Sequence, residues 1–134
     1  MGVRGENATM TEKRSVHPNE RIVECKVSGP VDIRRLAEIG KECRLFAFSH
    51  NFSFLLDVSE TSGLPSQDDA VEFFRRYYSG IEHELKLVHT AIVVCPEYYE
   101  TFQVVAEDWN SQGADVGAFM DRDEAFTWLI ETAK

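Results

Sequence analysis

Two hydrophobic periods alternate along most of this chain, and that alternation limits what it can fold into more than any single residue does. "RIVECKVSG" sets Ile22, Glu24 and Lys26 against Arg21, Val23, Cys25 and Val27 and stops at Gly29–Pro30, the period of a strand. "DIRRLAEIGKEC" then places Ile33, Leu36, Ala37, Gly40 and Cys43 on one helical face. "NFSFLLDV" is a strand whose second half is apolar on both sides, as in the interior of a covered sheet. "SQDDAVEFFRRYYSGI" reads as a helix with Ser66 as N-cap and Asp68 and Asp69 in the first turn, where the helix dipole favours carboxylates. Its buried face would use Ala70, Phe73, Phe74, Tyr77 and Ile81.

The second half repeats the pattern. "LVHTAIVVC" is a strand, β-branched at Val88, Thr90, Ile92, Val93 and Val94. Pro96 suits the first turn of a helix whose stripe is Tyr98, Phe102, Val105 and Trp109 and which Gly113 closes. "ADVGAF" is a short strand, and "DRDEAFTWLI" a final helix with Asp121 and Glu124 at capping-box positions. A further strand around Thr11–Val16 precedes the first, joined to it by the turn chemistry of "HPNE".

Strands alternating with helices over short connections imply parallel strands joined by right-handed crossovers. The fold class is α/β: a single, mostly parallel β-sheet of four to five strands with about four helices. Residues 1–10 are polar and aperiodic and read as a loose tail. Residues 11–134 read as one domain, a length that supports one buried core.

Composition excludes several classes. The net charge is −9, from 14 basic and 23 acidic residues, and an acidic surface repels phosphate backbones, so nucleic acid is not an expected partner. A basic protein surface suits it better. No apolar run reaches the length of a membrane span and the N-terminus lacks the plan of a signal peptide, which makes the cytoplasm the expected compartment. Cys25, Cys43 and Cys95 are odd in number and without metal spacing, and Cys25 and Cys95 sit in strand-like runs as small buried hydrophobes. His17, His50, His83 and His89 form no ligand pair, so neither a metal nor a cofactor is expected.

With these elements in place, "VSGPVDIRRLAEI", "FLLDVSETSG" and "VGAFMDRDEAFTWL" together resemble the STAS family, the fold of anti-sigma-factor antagonists, and within it the SpoIIAA-like branch. The resemblance spans roughly residues 20–130 in the family's order. It implies a regulatory or interaction module without catalytic residues, whose partner is a kinase or another regulatory protein. In that family a Ser or Thr at the start of a helix is phosphorylated to switch partners. A phosphate adds nearly two negative charges, suits a helix N-terminus, and disrupts an acidic or apolar interface across from it. Ser62, followed by Gly63, is the candidate phosphoacceptor here, with Ser59, Thr61 and Ser66 as lesser candidates. It follows Asp57 by only five residues, without the apolar segment that intervenes in the family, so the switch is degenerate or altered. Asp57, Ser59, Thr61, Gly63 and Ser66 make up the expected switch or binding loop, a strand-to-helix turn.

Other readings of the same residues compete. Phe46, Phe48, Phe52, Phe73, Tyr77, Tyr78, Tyr98 and Tyr99 are either core or the lining of a pocket for a small apolar, lipid-like ligand. So many aromatics would also find cover in a homodimer. Arg75 and Arg76 fall on the solvated side of their helix. Asp57 with His50 or His89 would be the raw material of acid–base chemistry, but no nucleophile elbow, phosphate loop or metal-ligand spacing accompanies them.

Overall fold

A computed structural model describes residues 9–77 and 82–132. Its strands are β1 (Thr11–His17), β2 (Ile22–Pro30), β3 (Ser53–Ser62), β4 (Thr90–Val93) and β5 (Val116–Phe119). Its helices are α1 (Ile33–His50), α2 (Gln67–Tyr77), the short α3 (Glu82–Lys86), α4 (Tyr99–Asn110) and α5 (Arg122–Thr132). A 3-10 turn at Pro96–Tyr98 leads into α4.

The five strands lie side by side in chain order, β1 antiparallel to β2 and the rest parallel. That order decides where the helices go. Each parallel step runs in the same direction across the sheet, and right-handed crossovers then put every connecting segment on the same face. On that face Leu36, Ala37 and Cys43 of α1, Ala70 of α2 and Phe102, Val105 and Trp109 of α4 pack with Val23, Cys25, Val27, Phe54, Leu56, Val58 and Ile92 of the strands. The last helix covers the opposite face. Ala125 and Leu129 of α5 do so, against Ile22, Leu55, Ala91 and Val93. β3 is the centre, buried on both faces from Ser53 to Val58, as its apolar run predicts.

The elements bear out most of the sequence pattern, with instructive departures. Ser66 Oγ accepts the amide of Asp69 at 3.4 Å, capping α2. Gly113 adopts φ +99° just past α4. α1 runs to His50, seven residues past Cys43, because Arg44 and Ala47 continue its buried face. Asn51 ends it in the left-handed conformation. The five-residue α3 was not foreseen.

Thr9 and Met10 fall in the expected tail, yet Met10 packs against the core, while residues 1–8 lie outside the described residues. Of the face expected for α2, Ala70 is buried and Phe73 partly so. Ile81 and the side chains of Phe74 and Tyr77 lie outside the described residues.

The cysteine expectation needs correction. Cys25 is buried, but the second buried thiol is Cys43, and Cys95 is only half-buried where β4 gives way to the 3-10 turn. A hydrogen bond between the two buried thiols, and burial itself, push Cys25 well above the ordinary thiol range. Among the described residues, no helix is long and apolar enough to cross a membrane.

Candidate functional site

The segment expected to be a loop is mostly strand. Asp57, Val58, Ser59, Glu60, Thr61 and Ser62 all belong to β3, and the turn to α2 is only Gly63–Ser66. The polar composition of "SETS" suggested a turn. Backbone pairing with the end of β2 overrides it, matching Ser28, Gly29 and Pro30 with Glu60, Thr61 and Ser62. Ser62 O also accepts the amide of Val31 at 2.9 Å.

The register slips between Lys26–Asp57 and Ser28–Glu60, so Val58 and Ser59 together oppose Val27. This is a β-bulge. Asp57 braces it, with Oδ1 accepting the Ser59 amide at 2.9 Å and the Ser59 hydroxyl at 2.6 Å. The Thr61 hydroxyl donates to Val58 O at 2.6 Å and is buried. The hydroxyls of Ser59, Thr61 and Ser66 are thus each committed to local structure. Ser62 is exposed, and among the described residues its hydroxyl makes no hydrogen bond. Gly63 follows with φ +74° and open space around it, a left-handed backbone that favours glycine immediately beyond the exposed serine.

Carboxylates surround this end of the sheet. Asp32 caps α1 by accepting the Arg35 amide at 3.2 Å. Asp121 Oδ1 accepts the Asp123 amide at 2.8 Å at the start of α5. Asp68 and Asp69 occupy the first turn of α2, and Glu60 pairs with Lys26 at 2.9 Å. α2 meets the same end with its N-terminus already capped by Ser66, which leaves that helix dipole less need of an added anion.

The acid–base pairing imagined for Asp57 does not form. His89 immediately precedes β4 at the amino end of the sheet, level with Ser53, and Asp57 lies four residues up the strand. The strand rise makes that about 13 Å. His89 instead meets Asp115, Nδ1 to Oδ2 at 2.8 Å, and His50 stacks on Phe46 with ring centroids 4.0 Å apart. The His89–Asp115 contact escaped sequence reasoning, although each residue directly precedes a strand and neighbouring parallel strands begin level with each other.

Among the described residues, the aromatics do not gather around one pocket. Phe46 and Phe48 are exposed on α1 while Phe73, Tyr98 and Tyr99 pack against the core, and Tyr78 lies outside the described residues. Inside the helical layer a void of about 20 Å³ lies among Leu36, Arg44, Leu56, Phe102 and Trp109. It has room for one water and not for a lipid. Arg75 and Arg76 take exposed ion pairs with Asp108 and Glu72, as their place on the solvated side implies.

Among solved structures, the chain is similar to the crystal structure of an anti-sigma factor antagonist from Mycobacterium paratuberculosis, with a TM-score of 0.56. The likeness covers 91% of this chain and 95% of that one at 14% sequence identity. At that identity it is a likeness of fold, and it bears out the expected anti-sigma-factor-antagonist architecture. Neither the family models nor the curated proteins give a match to this sequence.

Proposed function

We propose that the chain is a STAS-type regulatory module that acts by docking a protein partner at the carboxyl end of its sheet, without chemistry of its own. The observation that carries this reading is the exposed, uncommitted hydroxyl of Ser62 at the end of β3, in a fold similar to that of an anti-sigma factor antagonist. The neighbouring hydroxyls of Ser59, Thr61 and Ser66 are engaged, so Ser62 is the one a partner kinase would modify. The carboxylates of Asp32, Glu60, Asp68, Asp69 and Asp121 at the same end favour a partner with a basic docking surface. A phosphate on Ser62 would add charge to a rim that is already acidic. It would therefore act by changing which surface can dock, and not by settling onto the capped N-terminus of α2.

The test is to isolate the tagged chain from its native cells, map phosphate by peptide mass spectrometry, and compare Ser62→Ala and Ser62→Glu for retention of the co-isolated proteins. Phosphate on Ser62, a co-isolated kinase or regulator, and a partner set that changes with Ser62→Glu support the reading. An unmodified chain whose partners ignore both substitutions defeats it. A bound apolar molecule in place of proteins would turn the function toward ligand binding.

A further inference from the structure

The amino end of the sheet, opposite Ser62, carries a separate polar cluster. Phe54, Thr90 and Val116 are register partners on β3, β4 and β5, and Ser53, His89 and Asp115 stand one residue before them. These three therefore form one row at the sheet's end. Asp115 Oδ2 meets His89 Nδ1 at 2.8 Å, which fixes the ring and leaves Nε2 as its other polar atom. A cleft of about 180 Å³ opens here between Arg21, Asn51, Ser53 and His89, with Phe52 and Leu87 as apolar walls.

Three features mark the cleft as more than a gap. Ser53 is 95% buried, at 5% exposure, yet among the described residues its hydroxyl makes no hydrogen bond. The guanidinium of Arg21 and the side-chain amide of Asn51 likewise make none among the described residues. Arg21 and Asn51 both hold left-handed backbone, φ 59° and 60°. For Asn51 this is an ordinary helix cap, but for Arg21 it costs about 1 kcal/mol that Gly would avoid. Leu87 is 58% exposed, an apolar wall facing water.

The chemistry narrows the ligand. A guanidinium fork fits a carboxylate or a phosphate. The Glu20 carboxylate shares the cleft with Arg21, and the Asp115 carboxylate stands against His89, so negative charge already present favours a monoanion over a dianionic phosphate ester. At about 180 Å³ the cleft is smaller than the pockets that take drug-sized ligands, so the molecule is short. Ser53 Oγ and His89 Nε2 can serve a hydroxyl group, as donor and acceptor, while Phe52 and Leu87 cover a small apolar part.

We propose that this cleft binds a short-chain hydroxycarboxylate, its carboxylate on Arg21 and its hydroxyl between Ser53 and His89. The binding is independent of the docking end proposed above. The experiment is a titration of the isotope-labelled full chain with L-lactate at constant ionic strength, read from backbone amide resonances. Saturable shifts are expected at Asn51, Ser53 and His89, with affinity falling about tenfold in Arg21→Asn, a residue that tolerates the left-handed backbone. Propionate, which lacks the hydroxyl, should bind about tenfold more weakly than lactate. No saturable shift with lactate, shifts that persist unchanged in Arg21→Asn, or equal binding of propionate would overturn the proposal. So would tighter binding of glycerol phosphate than of lactate, which would make this a dianion site. The amide spectrum of Arg21→Asn reports in the same experiment that the fold is intact.

Discussion

Arg122 reaches across 98 residues of sequence to hold Glu24 with both arms of its guanidinium, Nε to Oε2 at 2.9 Å and Nη2 to Oε1 at 2.6 Å. The same carboxylate meets His17 Nε2 at 2.8 Å. Phe126 completes the cluster, 4.5 Å beneath the Arg122 guanidinium and edge-on to His17. One carboxylate of β2 thus ties the antiparallel edge strand β1 to the terminal helix α5.

The hydrogen bonds from Arg122, and secondarily from His17, hold the Glu24 carboxyl below its usual range against the opposing pull of burial. A carboxyl lowered in the folded state binds fewer protons there than in the unfolded chain. Its contribution is therefore complete above about pH 4.5 and fades as the pH falls through the lowered value. Urea unfolding of the native chain and Glu24→Gln at pH 3 and pH 6 should show a smaller pH dependence in the variant. Equal dependence would mean that other carboxyls carry the acid response. Arg122→Ala should lower stability at pH 6 by about 1–3 kcal/mol, because it leaves a half-buried carboxylate short of partners.

Asp57 is expected to be structural. Removing its carboxylate in Asp57→Ala strips two acceptor contacts from the bulge at Ser59 in a nearly buried position. A loss of about 1–3 kcal/mol in chemical denaturation is expected, with Asp57→Asn retaining much of it. A stability change under about 0.5 kcal/mol in Asp57→Ala would show that the bulge stands without its brace.

Gly29 is held by its backbone and its neighbour together. It has φ +94°, and a Cβ there would lie 2.9 Å from Thr9 O, a backbone atom that cannot turn aside. Gly29→Ala should therefore destabilise by about 1–3 kcal/mol, measured as a lower denaturation midpoint. In Gly63→Ala the strain is conformational only, since nothing lies within 4 Å, and the loss should be smaller.

Leu129 has no exposed surface and anchors α5 on the second face of the sheet. Leu129→Ala should cost about 2–5 kcal/mol. Because α5 packs on the opposite face of the sheet from α1, α2 and α4, the amides of α5 should exchange with solvent faster than those of α4 in this variant. Uniform loss of protection in both helices would show instead that the two faces unfold as one unit.

The sequence carried the elements and little of their meeting. The alternation of periods, the Ser66 cap, the Pro96 start and the Phe102–Val105–Trp109 stripe are local, set within a turn or two of chain, and each appears where its pattern puts it. The end of β3 did not follow composition, because Ser59–Ser62 gain their extended form from partners about thirty residues away in β2. α1 ran on through Arg44 for a similar reason, since a buried arginine looks polar in sequence and is half aliphatic in packing.

What the sequence determined by itself was the order of strand and helix, and from it the parallel sheet, because hydrophobic period and right-handed crossovers act along neighbouring stretches of chain. Only the tertiary structure decided which side chains share a site. Glu24 with Arg122, and Ser53 with His89 and Asp115, come together through strand register and the seating of α5, and these are fixed by contacts between segments far apart in sequence. Ser62 lies between the two cases. Its place before Gly63 can be read from the chain, whereas its exposure, with the neighbouring hydroxyls engaged, depends on how β3 pairs and bulges.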